Sequence, residues 1–293
     1  MATQSPSSSV HVVTTMLATV HIAMVALVVT TTTWVFPRSH VAVCACAKCG
    51  STSLFHWIYR TSHNGTKWPH NDMPWIQDLS SERWSRVEVH ENNVDEEDGV
   101  FHNPSTAVTI ALIRDPTERM VSAWKSKLQC ERHADQGRVD FFMMKLFEAI
   151  GSTTVVVKSH PPLPDFELKM TDVRRQGCLY FNQYVALLQN VYNDGDPAHL
   201  EEHFRPQQHV CFDHIPPSAW TFVVRAKDMA NRPDVVRKMA LALSPSTENN
   251  FPFPHTHRTD HTDNTIKEMH PLSYRVLHEL LAKERHFLRN VAH

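Results

Sequence analysis

The sequence predicts an α/β domain built on a mainly parallel sheet with helices packed against it, and three observations carry that prediction. Short apolar runs alternate along the chain with segments of helical period. Ala107–Ile113 (AVTIALI) is a continuous apolar run of strand length, followed at once by Arg114-Asp115-Pro116 and a helical repeat. His40–Cys46 is a short run of Val, Ala and Cys that leads through a small-residue turn into another helical repeat. A strand that passes through a tight loop into a helix is the unit with which parallel sheets collect ligand-binding loops along one edge.

The elements follow in chain order. After a polar tail over residues 1–9, Val10–Phe36 is apolar and Thr-rich, and no Asp, Glu, Lys or Arg precedes Arg38. That length suits a bilayer-spanning helix, so residues 10–36 are expected to form a signal anchor and residues 40–293 the folded domain. Ala47–Ser53 forms the turn and Leu54–Arg60 begins the first helix. Thr61 to Asp78 is a loop, which carries the glycosylation acceptor Asn64-Gly65-Thr66. Trp84–Val89 is a strand that ends at His90, and Glu91–Gly99 is an acidic turn. In the helix over Thr117–Leu128, Asp115 or Thr117 serves as cap and Pro116 suits the first turn. Phe141–Ile150, Phe181–Val191, Pro233–Leu243 and Leu272–Asn290 read as helices, and Thr153–Val157 and Trp220–Val224 as strands.

Composition narrows the partners. The 293 residues carry a formal net charge of −2, so no global basic field draws the protein to nucleic acid, and any anion site must be local. There are 21 histidines, some of which titrate in a mildly acidic compartment. The 6 cysteines form no pair of Cys-x-x-Cys units, which argues against a zinc ribbon. Cys44, Cys46 and Cys49 read as small buried thiols, whereas Cys130, Cys178 and Cys211 are open to disulfide pairing in an oxidising lumen.

Two segments have the chemistry of anion sites. Ala47-Lys48-Cys49-Gly50-Ser51-Thr52-Ser53 lies between a strand and a helix. Its small residues let backbone N–H groups approach a ligand, the helix start adds partial positive charge, and Lys48 adds a full one. It is not a Walker A loop, because the GxxxxGK[ST] pattern is absent. In the second segment Arg114 leaves the end of a buried strand and offers a planar fork of donors, while Ser122 follows two helical turns later. Arg119 is read as structural, paired with Asp115 or Glu118.

Together these segments resemble the Golgi carbohydrate sulfotransferases, the group that includes chondroitin and dermatan sulfotransferases. That family holds the 5′-phosphosulfate of 3′-phosphoadenosine 5′-phosphosulfate (PAPS) with a Pro-Lys-x-x-x-Thr loop and its 3′-phosphate with Arg-Asp-Pro-x-x-Arg-x-x-Ser. The chain matches the second pattern at Arg114, Asp115, Pro116, Arg119 and Ser122, and the first at Lys48 and Thr52, with Ala47 in place of Pro. His203-Phe204-Arg205-Pro206-Gln207, followed by Cys211, is similar to the family's His-Trp-x-Pro-Gln stretch. The last helix, Tyr274–Phe287, is weakly similar to the family's own.

The resemblance implies a PAPS-dependent sulfotransferase fold, a P-loop-like parallel sheet in one domain after the N-terminal helix. It implies in-line transfer to a glycan or glycoprotein hydroxyl without a metal, on a type II protein of the Golgi membrane. Lys48 would stabilise charge at the bridging oxygen. Cys49, Gly50, Ser51, Thr52 and Ser53 would line the 5′ site, and Arg114 and Ser122 the 3′ site. His90 is expected to be the base, since related glycan 2-O-sulfotransferases carry a catalytic histidine at a similar place, with His102, His160 and His203 as competitors. A P-loop phosphotransferase, a metal protein built on His255–Asp263 and a non-catalytic glycan-binding relative are the alternatives.

Overall fold

The computed structural model describes residues 31–36, 41–62, 85–89, 108–130, 136–157, 165–213, 215–243, 252–253 and 262–292. Residues 1–30, which hold most of the expected signal anchor, lie outside this set, as do His90, His102, His160 and the Asn64 acceptor.

The central sheet has five strands, β1 (Thr31–Phe36), β2 (Val41–Ala45), β3 (Ser85–Val89), β4 (Val108–Ile113) and β7 (Phe222–Arg225), in the order β3-β1-β2-β4-β7. β2, β4 and β7 are mutually parallel, with Ala45 opposite Leu112 and Ile113 opposite Arg225. β1 runs antiparallel to both β2 and β3. Thr31–Phe36, the last six residues of the expected 10–36 helix, are thus a strand of the sheet. The segment is TTTWVF, and its β-branched and aromatic side chains favour a pleated strand. Among the described residues no helix is long and apolar enough to cross a membrane.

Helices cover both faces of the sheet. The side chains of Val43, Ala45, Ile110, Leu112 and Val224 meet Leu54, Trp57 and Ile58 of α1 (Ser51–Ser62). The same cluster takes in Val235, Val236 and Met239 of α7 (Pro233–Leu243). Cys44, Cys46, Ala111, Ile113 and Val223 point the other way. They meet α6 (Gln207–Cys211) and α10 (Ala282–Val291). Ala111, Leu112 and Ile113 are thus buried on alternate faces, which explains why β4 reads as an unbroken apolar run.

A third core gathers α2 (Pro116–Lys127), α3 (Gln136–Ile150), α5 (Phe181–Asp194) and α9 (Pro271–Leu280). The antiparallel pair β5 (Thr154–Val157) and β6 (Phe166–Lys169), the short helix α4 (Met170–Gln176) and Ile266 of α8 (Thr262–Met269) complete it. The indole N–H of Trp124 donates to the Leu179 carbonyl at 2.8 Å, tying α2 to the start of α5. The expected single helix over Leu272–Asn290 is two helices that break at the buried Leu281.

The cysteines also depart from expectation. Cys44 is bonded to Cys211, Cys46 to Cys49 and Cys130 to Cys178, so the first cluster is not one of free thiols. The Cys44–Cys211 bridge spans 167 residues and staples β2 to α6. Because closing so long a loop strongly restricts the unfolded chain, the Cys44→Ala/Cys211→Ala double variant should lose about 2–5 kcal/mol of stability. A urea midpoint unchanged from the oxidised parent would contradict this.

Candidate functional site

The parallel strands β2, β4 and β7 all finish at one sheet edge, and the two segments expected to bind anions leave from there. After Ala45 the chain turns tightly, with the Cys49 N–H donating to the Cys46 carbonyl at 3.0 Å. Lys48 has a φ of 66° and Gly50 a φ of 94°. A non-glycine residue in this left-handed region is uncommon, and here it is Lys48. The Gly50 position admits little else: a Cβ there would lie 3.3 Å from the Cβ of Ala226, just beyond β7. The Leu54 N–H to Gly50 carbonyl bond, 3.0 Å, closes the first turn of α1. Ser51, Thr52 and Ser53 occupy that turn half-buried, where main-chain N–H groups have no partner within the helix.

The second segment stands beside the first. Arg114 Nη1 donates to the Lys48 carbonyl at 3.3 Å, so the two expected anion residues share one edge. Arg114 also faces Glu118 at 3.5 Å. Asp115 caps α2 as expected, accepting from the N–H groups of Thr117 at 3.0 Å and Glu118 at 3.2 Å. Ser122 is half-buried on α2.

Arg119 is structural, but not through an ion pair with Asp115 or Glu118. It is fully buried. Its Nη1 donates to the carbonyls of Ala47 at 3.3 Å and His203 at 3.1 Å, and its Nη2 to that of Arg205. One guanidinium therefore clamps the start of the lysine loop to the His203–Arg205 stretch.

Gln207, which closes the stretch similar to the family's His-Trp-x-Pro-Gln but to which the sequence assigned no role, joins the two segments. It is fully buried, and its side-chain amide pairs with both main-chain groups of Arg114. Oε1 accepts from the Arg114 N–H at 2.8 Å, and Nε2 donates to the Arg114 carbonyl at 2.9 Å. Glu284 of α10 accepts from the Gln207 main-chain N–H at 2.8 Å and from Nε2 at 3.1 Å. Burial pushes the Glu284 carboxyl above its usual range, and the Arg119 charge and the Gln207 bonds pull it back. Arg285, next along α10, donates to the Thr117 hydroxyl at 3.0 Å.

His203 is held by Glu201, whose carboxylate lies 2.8 Å from Nδ1. Glu201, Glu202 and His203 are the one group of candidate metal ligands among the described residues, within 4.8 Å of one another. The histidine–carboxylate bond accounts for the pairing of Glu201 with His203 without an ion. The run His255–Asp263, on which the alternative metal reading rests, lies outside the residues whose side chains are described. A cavity of about 220 Å³ sits beside Arg225, Asp228 and Arg232 and touches neither Lys48 nor Arg114.

The chain matches the Sulfotransferase family over residues 31–290. It belongs to that family. Comparisons with curated proteins and with solved structures return no match. The matched stretch begins at β1, which agrees with the strand in place of a helix there. The protein is accordingly a sulfotransferase, from a family that generally uses PAPS, and an acceptor for the sulfuryl group is implied.

The helix that carries Gln207 has its own pH dependence. His209 Nδ1 lies 2.7 Å from Asp213, and that bond raises the imidazole pKa against the opposing effect of burial. A raised histidine pKa gives stability that is full below the unfolded value, about 6.5, and fades as pH rises through the folded value. Asp213→Asn should therefore lower the thermal midpoint at about pH 5.5 and have a smaller effect at about pH 8.5. Equal shifts at the two pH values would contradict the linkage.

Proposed function

We propose that this sulfotransferase moves the sulfuryl group of PAPS to a carbohydrate hydroxyl by in-line displacement. The observation that carries the reading is the contact between Arg114 and the Lys48 carbonyl. It brings the two cationic segments close enough to serve the two ends of one adenine nucleotide. Lys48, Cys49, Gly50, Ser51, Thr52 and Ser53 hold the 5′-phosphosulfate, through main-chain N–H groups at the start of α1, hydroxyls and one ammonium. Arg114 and Ser122 hold the 3′-phosphate, for which a guanidinium fork is suited.

In the reaction the acceptor oxygen forms a bond to sulfur as the bond from sulfur to the 5′-phosphate oxygen breaks. The acceptor proton passes to a base, and 3′,5′-bisphosphoadenosine leaves. Lys48 neutralises the charge that grows on the departing oxygen, and the fixed dipoles of the loop need little reorganisation.

His90 is the proposed base. It directly follows β3, whose last residue, Val89, pairs with Thr31 at the edge where β2 also ends. A second candidate is favoured by one observation: Glu201 occupies Nδ1 of His203, and the His203 and Ala47 carbonyls accept from the same Arg119 nitrogen. The three disulfides fit an oxidising compartment and support a lumenal, Golgi setting for a glycan acceptor.

Lys48→Ala should lower transfer of labelled sulfate from PAPS to a glycan panel by about a hundredfold or more, as expected for loss of a charged transition-state contact. Arg114→Ala should weaken binding of 3′,5′-bisphosphoadenosine by about tenfold or more in calorimetry. Binding of ATP in preference to that nucleotide would instead support a phosphotransferase. His90→Ala should abolish turnover yet leave nucleotide affinity intact. If His203→Ala alone does so, the base is His203.

A further inference from the structure

The donor site, as proposed above, needs two anion positions at a fixed spacing, and neither loop sets that spacing alone. Lys48 sits in a turn between β2 and α1, and Arg114 in the link between β4 and α2. Strand pairing ends before either of them, with Ala45 opposite Leu112. Beyond that point side chains must fix the register.

Gln207 occupies this place. Its amide exchanges an N–H···O and an O···H–N bond with Arg114, at 2.9 and 2.8 Å. These are the two bonds that a residue on a neighbouring strand would make, so β4 is in effect continued by one residue and the Arg114 backbone is pinned. The same Oε1 lies 3.0 Å from Cys49 Sγ and 3.5 Å from Cys46 Sγ, the two ends of the lysine turn. Glu284 takes the remaining Nε2 hydrogen and the Gln207 main-chain N–H. The amide is saturated, buried and unable to rotate without stranding polar groups.

We propose that Gln207 is a positioning residue that sets the distance between the two anion positions. It thereby makes the donor site selective for a nucleotide phosphorylated at both the 3′ and 5′ ends. The inference rests on the proposed PAPS site. Gln207 is buried beneath the edge and acts through Arg114 and the lysine turn. Its signature is discrimination between ligands and not a general loss of binding. When the amide is gone, the Arg114 N–H and carbonyl lose their partner and the backbone is free to shift. The 3′-phosphate contact is then lost, while the 5′ loop keeps its own turn bonds and its disulfide.

The test is calorimetric titration of the wild type, Gln207→Leu and Gln207→Glu with 3′,5′-bisphosphoadenosine and, separately, with adenosine 5′-monophosphate. The wild type should prefer the bisphosphate. Gln207→Leu should lose about tenfold in bisphosphate affinity and less than about twofold in monophosphate affinity, so that the preference collapses. Gln207→Glu keeps the acceptor for the Arg114 N–H and should fall between. It also serves as the readout if the leucine variant does not fold, as judged by circular dichroism. Parallel losses for both ligands, or a preference unchanged in both variants, would overturn the inference. A wild type that binds neither nucleotide would instead defeat the PAPS reading and take this inference with it.

Discussion

A guanidinium sealed from water must find oxygen for its donors, and in this protein that requirement fixes the geometry of the reaction edge. Arg119 reaches three main-chain carbonyls, those of Ala47, His203 and Arg205, from the middle of α2. The lysine turn, the segment ahead of α6 and the helix that follows Arg114 are therefore parts of one object. Removing the charge would strand carbonyls on two loops at once. For that reason the Arg-Asp-Pro segment serves the fold: Asp115 caps, Pro116 starts the helix, Arg119 clamps, and Arg114 reaches the Lys48 carbonyl and Glu118.

The C-terminal helix completes the arrangement from the far side of the sheet. Glu284 and Arg285 are consecutive in sequence yet serve different partners, the first on Gln207 and the second on Thr117. Both lie on α10, which begins just after the break at Leu281. The break allows α9 to pack against α5 while α10 lies along the sheet, so one amphipathic stretch contributes to two cores.

Much of this was legible in the sequence where the signal is local. The β4 run, the Asp115 cap and the strand–turn–helix around Lys48 depend on residues a few positions apart, and each lies where periodicity and capping put it. Signals that depend on distant partners were not legible. Gln207 lies 93 residues from Arg114 and 77 from Glu284, and although its stretch carries a family resemblance, nothing local says that it joins them. Cys46 and Cys49 read as small buried thiols because the strand they adjoin is apolar, and nothing local marked the bond between them. β1 was hidden differently: a Thr- and Val-rich tail to an apolar run satisfies a membrane pattern and a strand pattern alike, and only pairing with β2 and β3 decides between them.

The direction of β1 decides which end of the sheet an attachment to the chain would crowd. Thr31 lies at the margin from which the lysine turn also departs, because β1 descends as β2 climbs. The described fold therefore begins at the same sheet edge as the lysine turn and not at the opposite one. A bulky handle joined directly at Thr31 would therefore crowd the edge that carries Lys48 and Arg114, whereas one joined at the far end of β1 would not.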